Sequence, residues 1–110
     1  MPVRISEYQE AAVVTAVYGA GMAISYPTLG LCGEAGEVAN KVKKVFRDDG
    51  GIVTEEKRSA LKGELGDCLW YLAALARDLG LSLEEAAAEN IAKLRSRLER
   101  GTIHGSGDNR

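Results

Sequence analysis

Two short stretches decide the fold expected of this chain, GEAGEV at residues 33–38 and GELGDCLWYL at residues 63–72. When neighbouring residues are placed at 100° intervals, each stretch lies in a long amphipathic helix with one apolar stripe. The stripes comprise Leu31, Ala35, Val38, Val42 and Val45 in the first helix, and Leu61, Leu65, Cys68, Leu72 and Leu79 in the second. Each stretch also carries two carboxylates three residues apart at the margin of its stripe. The stretches therefore predict two packed helices with acidic residues beside the buried face.

Capping and turn residues outside these stretches predict two further helices, and so an all-α bundle of four helices. Capping-box patterns begin at Ser6 and Ser82, and Thr54 is a favourable N-cap. The expected helices run from Ser6 to about Tyr18, from Pro27 to about Phe46, from Thr54 to Leu79 and from Ser82 to about Arg100. We expect residues 1–101 to form a single helical domain and residues 102–110 to form a polar C-terminal tail.

Length and composition narrow the class of protein. The chain has 110 residues, of which 45% are hydrophobic and 27% charged, as in an ordinary globular domain. Its net charge of -2 argues against a nucleic acid polymer as the main partner. The longest uncharged stretch is too interrupted to span a membrane, and the N-terminus lacks the apolar core of a signal peptide. We therefore expect a cytoplasmic protein with no membrane partner.

The histidine and cysteine content excludes several kinds of site. His104 is the only histidine, which argues against histidine-rich zinc sites and against a Ser-His-Asp triad. Cys32 and Cys68 lie among apolar residues, and we expect them to be buried free thiols in a reducing compartment.

The carboxylate pairs Glu34 with Glu37 and Glu64 with Asp67 point to a cation. Like charges at this spacing repel each other, and an all-oxygen ligand set without histidine or cysteine favours Mg²⁺, with Mn²⁺ as an alternative. Because Mg²⁺ commonly bridges a few carboxylates to substrate phosphates, a phosphate ester or anhydride is the expected substrate class. Acidic residues on a solvent-exposed helix face have the same spacing even where they have no function. A purely structural interpretation of the two pairs therefore stays open.

Several further side chains are candidates for substrate contacts. The cationic candidates for binding phosphates are Lys41, Lys44, Lys93 and Arg97. The fourth helix places Asn90 and Arg97 on its inward stripe, where they need polar or anionic partners. Tyr71 shares the flank of the carboxylates and either stacks on a base or is a packed tyrosine. Trp70 lies on the opposite side of its helix among small residues, where we expect a contact with a second subunit rather than a place in the core.

Together the two acidic motifs resemble the MazG-like all-α nucleoside triphosphate pyrophosphohydrolases. The family signature is Glu-x-x-Glu, a spacer and Glu-x-x-Asp, and the downstream segment NIAKLRSR resembles the family's Asn-x-x-Lys helix. The resemblance implies that Glu34, Glu37, Glu64 and Asp67 are metal ligands and that Asn90 and Lys93 face the nucleotide, with Arg97 as a further candidate. It also implies hydrolysis of a nucleoside triphosphate to monophosphate and pyrophosphate, assembly as a homodimer or homotetramer, and a role in clearing nucleotides from the pool.

One position departs from the pattern of many family members. Gly33 stands where they have an additional glutamate that is assigned as the base for water, and this form is similar to the dCTP-pyrophosphatase-like branch. We therefore expect either that Glu34 or Glu37 serves as both ligand and base, or that the metal alone lowers the pKa of the water. The departure also leaves two alternatives open, a helical module that binds nucleotides or proteins without turnover, and a pyrophosphohydrolase that acts on a phosphoribosyl nucleotide.

Overall fold

The computed structural model describes residues 2–110 and contains four α-helices with no strand among those residues. The helices are α1 (Ile5–Val13), α2 (Ser25–Asp48), α3 (Glu55–Asp78) and α4 (Leu83–Glu99), and a short 3₁₀ helix (Ala20–Met22) precedes α2. This arrangement confirms the all-α fold. No helix in the described part of the chain is both long enough and apolar enough to cross a bilayer.

The closest helix packing is between α2 and α3, which form a hairpin. Gly50 and Gly51 take positive φ angles of 63° and 83° in the connection, a backbone conformation that glycine adopts without steric cost. Thr54 then caps α3 as predicted, because its hydroxyl oxygen accepts a hydrogen bond of 3.2 Å from the Lys57 amide. Ser82 caps α4 in the same way through the Glu85 amide. The hairpin lays the two acidic motifs beside each other.

The prediction for α1 is wrong at both ends. The helix begins at Ile5 after Arg4 with no side-chain cap, and it ends at Val13 instead of Tyr18. Ser6 and Gln9 therefore do not form a capping box. The Gln9 amide instead donates to the Leu81 carbonyl at 3.1 Å and accepts from the Leu83 amide at 3.0 Å, so that it fastens α1 to the connection between α3 and α4.

A small core lies where α1 crosses α3. Its buried apolar residues include Ala12 of α1 and Ala73 and Ala74 of α3. Small side chains on α3 allow the two helices to approach closely. The Trp70 indole nitrogen donates to the Thr15 hydroxyl at 2.7 Å. Part of the Trp70 side of α3 thus contacts the residues after α1 within one chain, while Trp70 itself stays partly exposed and a contact with a second subunit stays a prediction.

The two cysteines are more exposed than the sequence predicts. Cys32 is exposed and Cys68 is only partly buried, so the prediction of buried thiols is wrong for the single chain.

Residues 102–110 fold back along α4, where the Arg97 guanidinium donates to the Asp108 carbonyl at 2.7 Å. The Arg110 guanidinium donates to the carbonyls of Thr102 and Gly107. The tail is thus fastened by arginine-to-carbonyl hydrogen bonds.

Candidate active site

Three carboxylates meet where the acidic motifs of α2 and α3 face each other. Glu34, Glu64 and Asp67 each offer an oxygen atom, and these atoms lie within 4.8 Å of one another. Glu64 and Asp67 are neighbours on one helix face because they are three residues apart, and the hairpin supplies Glu34 from α2. Glu34 and Glu64 are partly buried, whereas Asp67 is exposed. The three form a cluster of oxygen ligands that is open to solvent on one side.

The pKa values of two carboxyl groups in this cluster are shifted in opposite directions. A hydrogen bond between the carboxyl groups of Glu34 and Glu64 raises the pKa of Glu34, and burial and the charge of Asp67 raise it further. The same hydrogen bond, together with the Lys41 ammonium, lowers the pKa of Glu64. Lys41 Nζ lies 3.1 Å from Glu64 Oε1. The neighbouring carboxylates thus disfavour the ionised form of Glu34, and a bound cation would relieve that repulsion.

Glu37 lies outside the three-carboxylate cluster. Its carboxylate is 54% exposed and lies 3.8 Å from Lys41 Nζ, so the lysine stands between Glu37 and Glu64. Of the four predicted ligands, the structure brings together Glu34, Glu64 and Asp67 and leaves Glu37 one helical turn away.

A cleft with an aromatic wall adjoins the carboxylates. It has a volume of about 250 Å³ and is lined by Glu34, Asp67, Trp70 and Tyr71. The Trp70 and Tyr71 rings meet edge to face, with centroids 5.0 Å apart. Gly30 allows this arrangement, because a Cβ atom at that position would overlap the Tyr71 ring. Burial, Tyr26 and Glu34 raise the pKa of Tyr71, so the phenol stays neutral and presents a flat aromatic group beside the acidic cluster.

A second cleft, on the side of Lys41, is cationic. It has a volume of about 180 Å³ and is lined by Lys41, Lys44, Glu56, Lys57 and Ala60. The predicted candidates Lys41 and Lys44 therefore share one surface, and Lys57 joins them from α3. The two clefts give the acidic cluster an aromatic neighbour on one side and a cationic neighbour on the other.

The predicted substrate residues of α4 lie elsewhere in the single chain. Asn90 and Lys93 are exposed, and α4 packs mainly against α1 and α3. Within residues 2–110, no residue of α4 lines either cleft. Arg97 is 5% exposed, and its guanidinium contacts the tail. Its Nη2 is therefore paired with the backbone carbonyl of Asp108 and not with the acidic cluster, whereas its Nε is buried without a hydrogen-bond partner among the described residues.

Four of the residues that line the clefts were not predicted as site residues, namely Trp70, Glu56, Lys57 and Ala60. Trp70 was expected at a subunit contact, yet it follows Asp67 by three residues, which places the two on one helix face. That spacing was the available signal. No sequence pattern indicated that Lys57 lines a cleft, because its approach to Lys44 depends on how α2 and α3 pack.

The all-α fold and the paired acidic motifs agree with the protein family that the chain matches. Residues 26–102 match the MazG nucleotide pyrophosphohydrolase domain family. The chain therefore belongs to this family, and membership supports a nucleotide pyrophosphohydrolase activity in general terms.

A relative from a bacteriophage extends the comparison. The chain is 53% identical to the Gene 37 protein of Mycobacterium phage L5 over 109 aligned residues, which cover 94% of this chain and 96% of that protein. That name describes no activity. No solved structure matched the chain.

Proposed function

We propose that this protein hydrolyses a ribo- or deoxyribonucleoside triphosphate to the monophosphate and pyrophosphate, and so removes surplus or unusual nucleotides from the pool. The observation that carries the proposal is the carboxylate cluster of Glu34, Glu64 and Asp67 between an aromatic cleft and a cationic cleft. The groups of a nucleoside triphosphate follow the same order: a flat base could bind in the aromatic cleft, the reacting phosphate at the carboxylates, and the anionic leaving group in the cationic cleft. Membership of the MazG family supports the reaction class.

The cluster suits a hard divalent cation. Its donors are all carboxylate oxygens, and the hydrogen bond between Glu34 and Glu64 indicates that their charge is incompletely balanced without one. We propose Glu34, Glu64 and Asp67 as ligands of Mg²⁺, or of Mn²⁺ in its place, with Glu37 as a fourth ligand. When bound, such an ion neutralises charge that develops on phosphate oxygens.

The remaining residues would bind and orient the substrate. Tyr71 offers a face or a hydroxyl to the base, and stacking of a base on an aromatic ring contributes about 1–3 kcal/mol in other proteins. Lys41 and Lys44 would hold the pyrophosphate portion through charge-assisted hydrogen bonds. Asn90, Lys93 and Arg97 remain candidates for substrate contacts in an assembly, where α4 of one chain meets the site of another.

The reaction needs one water molecule and one acceptor for its proton. The water oxygen forms a bond to the α-phosphorus, and the bond from that phosphorus to the oxygen bridging the α- and β-phosphates breaks in line. Pyrophosphate leaves with the electron pair of the broken bond. With Gly33 in place of a further glutamate, Glu34 or Glu37 is the group that would accept the proton from water.

Assembly into a dimer or tetramer is part of the proposal. The chain exposes 7859 Å², whereas a compact protein of its mass exposes about 5,900 Å². Its radius of gyration is 16.8 Å, against about 13 Å for a compact chain of this length. The excess surface, about 2,000 Å² per chain, is in the range that permanent oligomers bury.

A panel of the four ribo- and four deoxyribonucleoside triphosphates tests the activity, with pyrophosphate and monophosphate measured in Mg²⁺ and in EDTA. We expect equal amounts of both products with at least one base, and none in EDTA. Tight binding of a nucleotide without turnover would favour a nucleotide-binding module. Release of pyrophosphate from a phosphoribosyl nucleotide alone would change the substrate class and contradict the hydrolysis of a free nucleoside triphosphate.

A further inference from the structure

Asp78, the last residue of α3, is a buried carboxylate that the proposed reaction does not use. Its side chain is 4% exposed. Oδ2 accepts hydrogen bonds from the Tyr18 hydroxyl at 2.7 Å and from the Ile24 amide at 2.9 Å. Oδ1 accepts from Arg77 Nε at 2.8 Å. Three donors converge on one carboxylate, and two of them belong to the connection between α1 and α2.

That connection, residues 14–24, is called the strap below, and hydrogen bonds rather than apolar packing hold it in place. Val14 and Val17 are 78% and 89% exposed, so the strap buries little hydrophobic surface at these positions. Its hydrogen bonds to α3 are the bond from Trp70 to Thr15, the two bonds to Asp78, and a bond of 3.2 Å from Arg77 Nη2 to the Tyr18 hydroxyl. Loss of a hydrogen bond should therefore move the strap more than it would move a packed helix.

The end of the strap is strained where Asp78 holds it. Ile24 has φ 67° and ψ -55°, a conformation that a β-branched residue rarely adopts. The Ser25 amide closes this tight turn by donating to the Ala23 carbonyl at 2.7 Å. Strain of this kind persists only where surrounding contacts enforce it, and it concentrates near functional sites. The bond from the Ile24 amide to Asp78 is the contact that enforces it here.

A row of aromatic rings connects the strap to the cleft. Tyr18 stacks on Tyr26 with centroids 4.6 Å apart, and Tyr26 lies 6.3 Å from the Tyr71 ring that lines the cleft. The Arg77 guanidinium lies 5.7 Å from the Tyr18 ring centroid and covers the far end of the row. A shift of Tyr18 would thus be passed through Tyr26 to the aromatic wall.

We propose that Asp78 is a positioning residue for substrate binding: by fastening the strap at Tyr18 and Ile24, it sets the aromatic wall of Tyr26, Tyr71 and Trp70 in the place that receives the nucleobase. Asp78 does not touch the substrate, and its effect is on the affinity for the base rather than on the reacting phosphate. This role presupposes the hydrolysis proposed above.

Asp78→Asn tests this role, with Tyr18→Phe as a second variant and Asp48→Asn as a matched control. An asparagine has one carbonyl oxygen, so its amide group must face either Arg77 or the pair of Tyr18 and Ile24, and at least one donor loses its acceptor. Tyr18→Phe removes only the hydroxyl and keeps the stacked ring. Asp48 is also the last residue of its helix and also pairs with the preceding arginine, at 2.7 Å, but it contacts no strap residue.

We expect the KM of Asp78→Asn for the preferred nucleotide to rise about tenfold while kcat changes less than about twofold. Tyr18→Phe should change KM in the same direction by a smaller factor, and it carries the test if Asp78→Asn fails to fold. Amide hydrogen exchange at residues 14–24 should accelerate in both variants. Mn²⁺ affinity, measured without nucleotide, should match that of the unmodified chain.

Two results would overturn the role of Asp78. One is a KM equal to that of Asp48→Asn, and the other is a loss of kcat or of Mn²⁺ affinity with KM unchanged. Failure of the unmodified chain to hydrolyse any nucleotide would instead contradict the proposed function. The two failures are therefore distinguishable.

Discussion

Lys41 supplies the nearest positive charge to the acidic site in the single chain. Its ammonium lies 3.1 Å from Glu64 and 3.8 Å from Glu37, and the hydrogen bond to Glu64 raises the pKa of Lys41. A divalent cation at the carboxylates would compete with this ammonium for the same oxygen atoms. Substrate phosphates would then offer Lys41 another anionic partner. The lysine is thus suited to move from the carboxylates to the phosphates on binding.

Replacement of Lys41 by methionine tests this exchange. The variant should bind Mn²⁺ about twofold to fivefold more tightly without nucleotide, because a competing positive charge is removed. Its KM for the nucleotide should rise. Titration calorimetry with Mn²⁺ measures the first effect. Lys43→Met is the control, since Lys43 is exposed and forms no ion pair within the described residues; equal Mn²⁺ affinity in both variants would rule out the competition.

The individual site residues were predictable where a fixed helical spacing determines them. Glu64 and Asp67 share a face because they are three residues apart, and Glu34 joins them once α2 and α3 pair. Glu37 satisfies the same spacing rule with Glu34, yet its carboxylate turns toward solvent and Lys41. Spacing specifies the helix face, whereas the rotamer follows from the charges nearby, and these depend on tertiary structure.

At the scale of the elements, the starts of α3 and α4 were predictable because Thr54 and Ser82 cap them through local hydrogen bonds. The start of α1 was not, because Gln9 uses its amide to hold the connection between α3 and α4. A side chain that is committed to a tertiary contact is not available to a capping box. No local pattern in the sequence distinguishes the two uses of glutamine.

The contact between α2 and α3 at Gly30 gives a prediction about stability. Gly30→Ala should lower the free energy of unfolding by about 1–3 kcal/mol, because the added methyl group overlaps the Tyr71 ring and the packing must shift. Gly36→Ala is the control in the same helix. A Cβ there meets no atom within 4 Å, so alanine should be neutral or stabilise by up to about 1 kcal/mol. Urea denaturation measures both, and a Gly30→Ala as stable as Gly36→Ala would contradict the observed packing.

The hydrogen bonds between the strap and Asp78 should make the stability of the fold depend on pH. Burial acts to raise the pKa of Asp78, but the hydrogen bonds from Ile24, Tyr18 and Arg77 outweigh it and hold the pKa below its usual value. A carboxyl whose pKa is lower in the folded state stabilises the fold fully above its unfolded pKa, about 3.9, and loses that contribution as pH falls through the folded value.

The unmodified chain should therefore be more stable than Asp78→Asn at neutral pH, and the difference should narrow below about pH 4. Urea denaturation of both proteins at a series of pH values from neutral to acidic provides the measurement. A difference that stays constant across the series would mean that the ionised carboxylate does not stabilise the strap.

At the scale of the whole molecule, the exposed apolar side chains indicate where copies of the chain would meet. Leu65, Leu69 and Leu72 on α3 are 60%, 38% and 38% exposed, and Phe46 on α2 is 69% exposed. The amphipathic pattern predicted that the apolar stripe on α3 is a buried face, and this is wrong for the single chain, in which Leu65, Leu72 and Leu79 are 60%, 38% and 50% exposed. It did not show that this stripe stays largely open while the alanines on another side of α3 pack against α1. Trp70 is partly exposed and lines the aromatic cleft, and its expected contact with a second subunit stays a prediction.

Leu65→Glu should shift the protein toward a species of 11.7 kDa in sedimentation, because a charge is introduced into the expected contact between chains. Val3→Glu is a control, since Val3 is also 60% exposed but lies before α1. Circular dichroism verifies that both variants stay helical. If the unmodified chain sediments as a monomer, or if Leu65→Glu sediments with the same mass as the unmodified chain, then the apolar stripe of α3 does not form a contact between subunits.

The cluster of Glu34, Glu64 and Asp67 is proposed to carry out cation-dependent hydrolysis at the α-phosphorus. The most direct measurement is ³¹P nuclear magnetic resonance of the preferred nucleoside triphosphate, incubated with Mg²⁺ and either the unmodified chain or Asp67→Asn. Asp67→Asn keeps the shape of the side chain but removes the charge of one ligand. We expect equal amounts of monophosphate and pyrophosphate from the unmodified chain and a loss of at least about 100-fold in rate from the variant. Formation of diphosphate and orthophosphate, or a variant as active as the unmodified chain, would contradict this proposal.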